Sequence, residues 1–69
     1  MAKANQPAAK FRIGYVTATV WHNDDFYNVT LARTYKDGDD YKETNSFGHA
    51  DLLNATRVLQ RAEAWISEQ

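Results

Sequence analysis

His22 and His49 are the side chains best suited to proton transfer, and neither has a partner in the sequence around it. Nucleophilic catalysis needs a hydroxyl or thiol beside a base that a third group orients. His22 stands next to a turn and His49 at a helix start, with nothing that links them. The chain has no cysteine, which removes disulfides, thiolate nucleophiles and thiolate metal sites together. Asp37-Gly38-Asp39-Asp40 gathers carboxylates around a glycine, but it lacks the roughly twelve-residue ligand spacing and closing glutamate of a calcium loop. These residues predict a protein that is not an enzyme and holds neither a metal nor another cofactor.

The remaining chemistry is that of binding. Tyr15, Thr17, Thr19 and Trp21 alternate with Val16, Ala18 and Val20. Successive side chains of a strand point to opposite faces, so Phe11 to His22 reads as a strand with one apolar face and one face of hydroxyls and rings. Phe26 to Lys36 repeats the pattern, with Tyr27, Val29, Leu31 and Tyr35 against Asn28, Thr30, Ala32 and Thr34; Arg33 interrupts the apolar side. Tyr41 to Phe47 reads as another strand, with Tyr41 and Phe47 expected inward and Lys42, Thr44 and Ser46 outward. Asn23-Asp24-Asp25 supplies turn residues, and Asp37-Gly38 between alternating segments signals a tight hairpin.

Gly48 closes the last strand and opens a helix from about His49 to Ser67. Leu52, Ala55, Leu59, Ala62 and Ile66 recur at helical spacing as an apolar stripe, broadened by Val58 and Trp65. Asp51 falls in the first turn, where a carboxylate complements the helix dipole. The expected fold is therefore α+β. It is a three-stranded antiparallel meander, four-stranded if Phe11 to His22 bends into two, followed by one C-terminal amphipathic helix. Residues 11–69 form the single domain, with Val16, Val20, Val29, Leu31, Leu52, Leu59 and Ile66 in one core. Residues 1–10 carry Lys3 and Lys10 and no acid, and read as a flexible basic arm.

A chain of 69 residues has little interior, and domains this small draw on disulfides, metals or a partner subunit. Without cysteine, self-association is the expected source. A homodimer is predicted with Val58 and Trp65 at its interface, because one helix does not easily cover its sheet and also shield both. No apolar run approaches the ~18 residues of a membrane span, and the N-terminus lacks a signal-like hydrophobic segment; a cytoplasmic protein with no membrane partner is expected. The net charge of −1 excludes a uniformly basic nucleic-acid binder. The charges separate along the chain, with cations at the start and acids at Asp24-Asp25 and Asp37 to Asp40.

One helix covers one sheet face, so the other is the expected site. Aromatic platforms among polar groups suit the stacking of unpaired bases. On this reading Tyr15 and Trp21 stack bases, and Lys10, Arg12 and Lys42 contact phosphates. Thr17, Thr19, Asn28, Thr30 and Thr44 supply hydrogen bonds. The same Trp, Tyr and Thr face suits a protein partner, because aromatic anchors dominate protein interfaces. Threonines and aromatic residues are also simply good strand formers.

The stretch Phe26-Tyr27-Asn28-Val29-Thr30-Leu31-Ala32-Arg33-Thr34-Tyr35-Lys36-Asp37-Gly38 looks like a central hairpin strand entering its turn. Thr44-Asn45-Ser46-Phe47-Gly48 before the leucine-containing helix looks like a strand-to-helix junction. In this layout, over about residues 12 to 66, the chain resembles the transcriptional positive cofactor four and whirly-like group of single-strand-binding proteins, and small bacterial proteins of the same pattern. The resemblance to that group implies a curved antiparallel sheet, dimerisation through helices, and unpaired DNA bound on the sheet.

Overall fold

Alternating β-branched and aromatic residues form strands wherever a turn lets the chain fold back, and here three turns do so. The computed structural model describes residues 6–69. Strands β1 (Pro7–Ile13), β2 (Val16–Asn23), β3 (Phe26–Asp37) and β4 (Asp40–Thr44) pair in sequence order as one antiparallel sheet. The run from Phe11 to His22 does bend into two strands, at Gly14-Tyr15. The pairs Ile13 with Val16, Asn23 with Phe26, and Asp37 with Asp40 leave two-residue loops. The first loop residue has positive φ in all three: Gly14 at 61°, Asp24 at 51° and Gly38 at 65°. Tight hairpins require that sign to match the twist of the strands, and glycine adopts it without penalty. Asp24 adopts it against the steric preference of an L-residue.

Residues 7–10, expected in a flexible arm, belong instead to β1. Their side chains are too small or too polar for an apolar pattern, but Lys10 pairs with Thr19 and Ala9 with Val20, across an irregularity between Pro7 and Ala9. Backbone pairing with a well-patterned neighbour supplies what their own sequence lacks. The rest of the proposed arm, residues 1–5, lies outside the described residues.

A 3-10 turn (His49–Asp51) leads into helix α1 (Leu52–Ser67), which packs mainly on β2 and β1 and only grazes β3. The core is built from small side chains. Val16, Ala18 and Val20 of β2 meet Ala55, Val58 and Ala62 of α1, all buried. Ala9, Phe11, Ile13, Tyr27, Leu31, Phe47, Trp65 and Ile66 pack around them. The strand phase is the expected one, with Val20 under the helix and Trp21 on the other side of the sheet. The helix phase is not. Leu52 and Leu59, expected in the core, are 49% and 41% exposed. The narrow face through Ala55, Val58 and Ala62 lets α1 settle close to the sheet, and the leucines fall to its flank. Val29, also expected in the core, is 36% exposed because the helix does not reach over β3.

Val58 is fully buried within its own chain. It cannot form the dimer interface expected of it, because the sheet face that the helix covers is the one Val58 fills. Trp65 is half-buried and sets its ring edge-on to Tyr27, with centroids 5.7 Å apart at 89°.

The phase of β4 also differs from expectation. A two-residue hairpin places directly paired residues on the same face. Lys42 pairs with Tyr35 and Thr44 with Arg33, so both stand on the helix side of the sheet. Tyr41, expected inward, pairs with Lys36 on the outer side, as Glu43 does with Thr34. After Thr44 the chain leaves the sheet. The Thr44 hydroxyl accepts the Ser46 N–H at 3.1 Å, and Phe47 turns onto the core. Arg33 secures this junction. Its Nε–H donates to the Ser46 carbonyl at 2.9 Å and lies 3.6 Å from the Asp51 carboxylate. The Asp51 carboxylate also accepts the Gly48 N–H at 3.2 Å. A cation on an otherwise apolar strand face is accounted for by these partners.

Candidate nucleic-acid interface

Strand parity gathers the outer-face residues. The cross-strand pairs Lys10 with Thr19, Arg12 with Thr17, Trp21 with Asn28, Thr19 with Thr30 and Thr17 with Ala32 all lie on the side away from α1. Together with Thr34 and Glu43, most of them line a shallow cleft of about 430 Å³. The sheet and one helix layer span only 14 Å in the thinnest direction of the Cα trace, and α1 lies against the opposite face.

Trp21 is the fixed point of this surface. Its indole N–H donates to Thr30 Oγ1 at 3.0 Å, diagonally across β2 and β3. The bond holds the ring against the sheet, half-buried, with its polar edge satisfied. A ring held in this way loses little freedom when a flat ligand stacks on it. Thr19, at 8% exposure, is nearly covered between Lys10 and Thr30. It forms the floor of the cleft more than a contact surface. Arg12 donates from Nε to the Gly14 carbonyl at 2.8 Å, which steadies the stem of its guanidinium at the rim.

Of the residues singled out in the sequence, Lys10, Arg12, Thr17, Thr19, Trp21, Asn28 and Thr30 share this face. Lys42 and Thr44 do not. Lys42 reaches Asp37 at 3.0 Å on the helix side, and Thr44 is engaged at the junction. Tyr15 stands apart in the β1–β2 turn, 59% exposed, where it lines a second hollow with Lys36 and Tyr41. Trp21 lies six positions along the chain from Tyr15, roughly 20 Å of extended chain, so the two rings cannot serve adjacent bases.

Lys36 and Tyr41 are outer-face residues that sequence reasoning missed. The signal was available: with Thr34 outward, any two-residue hairpin at Gly38 forces Lys36 and Tyr41 outward as well. They extend the face toward the β3–β4 turn, where Tyr41 is 68% exposed. Lys10, Arg12 and Lys36 then stand on this face against the one carboxylate of Glu43. The acidic turn Asp24-Asp25 lies at its far end.

His22 stacks on Tyr27 with centroids 4.5 Å apart, and His49 is exposed in the 3-10 turn. Among the described residues no cluster of three or more His, Asp or Glu side chains is placed to hold a metal ion. Among the described residues no helix is long and apolar enough to cross a membrane. No protein family, curated protein or solved structure matches the chain.

Proposed function

We propose that this protein is a non-enzymatic, dimeric binding module that takes unpaired nucleic acid across its outer sheet face. The observation that carries the reading is the Trp21 ring, locked by its bond to Thr30 amid uncharged hydroxyl and amide groups. Lys10 and Arg12 stand along the adjoining strand. Bases stack on such a ring irrespective of sequence, while cations beside it follow the backbone. A duplex hides its base faces, so the preference is for single strands. Tyr41, Lys36 and Tyr15 mark a second contact zone at the opposite end of the face. The resemblance in layout to the positive cofactor four and whirly-like group points the same way.

Fluorescence anisotropy with short unpaired and duplex DNA tests the proposal. Trp21→Ala is expected to weaken binding of the unpaired strand by ~1–3 kcal/mol. Equal binding by Trp21→Ala and the parent would remove the stacking site. Lys10→Ala is expected to lower the salt dependence by about one phosphate contact, and Lys42→Ala to leave it unchanged because Lys42 is on the opposite face.

A second reading, a protein partner on the same face, draws on the large exposed rings of Phe26 and Tyr41, 62% and 68% accessible. It predicts binding that does not change with salt, where the few phosphate contacts of this face predict a shallow but measurable fall.

A further inference from the structure

The sheet has one unguarded stretch of edge. β3 runs from Phe26 to Asp37, but β4 pairs only with Arg33 to Asp37. Among the described residues no strand lies beside Phe26 to Ala32 on that side. Hydrogen-bonded and non-bonded pairs alternate from each two-residue hairpin, which turns the N–H and C=O groups of Tyr27, Val29 and Leu31 away from β2. Exposed edges are usually blunted by charge, proline, bulges or shortness. β1 has Pro7, an irregularity beside it, Lys10 and Arg12, while β4 is short and carries Asp40, Lys42 and Glu43. Phe26-Tyr27-Asn28-Val29-Thr30-Leu31-Ala32 has none of these guards and is rich in strand-forming side chains.

We infer that this edge pairs with the same edge of a second copy, joining two sheets into one of eight strands. The inference deepens the dimer proposed above and is independent of what the outer face binds. A two-fold axis through Val29 satisfies the open groups of all three residues at once: Val29 faces the partner's Val29, and Tyr27 faces the partner's Leu31. Residues paired in this register share a face, so Asn28 meets the partner's Thr30 outside, while Val29 meets Val29 and Tyr27 meets Leu31 inside. Neighbouring registers leave some of these groups unpaired. β4 ends at Thr44, opposite Arg33, and Asn45 borders Leu31 and Ala32 beside an open hollow, so the partner strand enters next to the end of β4. Beyond the paired stretch, the acidic Asp24-Asp25 turn of each copy approaches the end of the other's β3–β4 hairpin, where Arg33 stands. Val29, one-third exposed, gains cover on the helix side, and the two outer faces become one continuous surface.

A chain without cysteine allows a direct test. In a hydrogen-bonded antiparallel pair the facing Cα atoms are about 5.5 Å apart, within the disulfide range of roughly 4.4–6.8 Å. Val29→Cys is expected to form a covalent dimer on mild oxidation, and Tyr41→Cys on β4 to form little. Val29→Pro removes an outward N–H without touching the β2 ladder. It is expected to weaken dimerisation roughly a hundredfold or more in sedimentation, with circular dichroism confirming the fold. Val29→Lys is the second variant, carrying a charge into the same pairing if the proline variant does not fold.

A parent chain that is monomeric at high micromolar concentration overturns both the edge and the dimer. A dimeric parent whose Val29→Lys variant stays dimeric, or in which Tyr41→Cys cross-links as readily as Val29→Cys, overturns the edge alone. Trp21→Ala is expected to leave cross-linking at Val29 unchanged, so the edge and the nucleic-acid face fail separately.

Discussion

The helix side of the sheet has two halves of different character. Over β1 and β2 the side chains facing α1 are small or tightly fitted, and Val16, Ala18 and Val20 are buried against Ala55, Val58 and Ala62. Beyond β2, α1 barely reaches, and Val29 and Tyr35 stay about one-third exposed, while Leu52 and Leu59 of α1 are 49% and 41% exposed. Residues of the same chemical type therefore sit in opposite environments one strand apart. The difference shows that helix position, more than hydrophobicity, decides which apolar residues of this chain stabilise it. Close packing of a narrow alanine and valine face holds the first half, and the second is left with apolar surface to share.

Adjacent helix positions break or sharpen this contrast most strongly. Val58→Asp buries an unpaired carboxylate against β2 and is expected to cost more than about 4 kcal/mol, enough to unfold so small a domain in a thermal melt. Leu59→Asp, one residue on, is expected to stay folded with a change below about 1 kcal/mol. Similar losses at the two positions would mean that the halves are packed alike.

Arg33→Ala comes next. It removes the bond to Ser46 and the ion pair with Asp51 that tie the uncovered half to the helix start. Both groups are roughly a quarter exposed, so solvent screening tempers the loss, and about 1–2 kcal/mol is expected by urea denaturation. A neutral result would show that Phe47 alone secures the junction.

The smallest effect lies at the turn joining β2 to β3, the seam between the halves. Asp24 has φ of 51°, a conformation that favours glycine. Asp24→Gly is expected to stabilise the protein by about 0.5–1 kcal/mol, the relief of the left-handed strain outweighing the added unfolded-state entropy. A lower melting temperature would mean that the aspartate side chain holds the turn.

Strand alternation and turn chemistry determined much of this protein without reference to its tertiary structure. β2 and β3 alternate with period two in Val, Thr and aromatic residues, and the two glycines that open hairpin loops stand where the pattern breaks. Hence the meander, the closing helix and the outward placement of Thr17, Thr19, Trp21, Asn28 and Thr30 were legible. The β4 phase was legible too, through hairpin parity, although the apolar look of Tyr41 and Phe47 pointed the other way. The assignment of residues 7–10 to a strand was not legible, because a neighbour's backbone imposes it.

Helix rotation also belonged to the tertiary structure. Leu52, Leu59 and Ile66 share a helical stripe as convincingly as Ala55, Val58 and Ala62 do, and hydrophobicity favours the leucines. Periodicity fixes the spacing of a helix's apolar residues but not which edge of a broad stripe points at the sheet. That choice fell to steric fit: alanines allow the closest approach over β2, and the position of α1 across the sheet then left β3 with its apolar residues and its open edge.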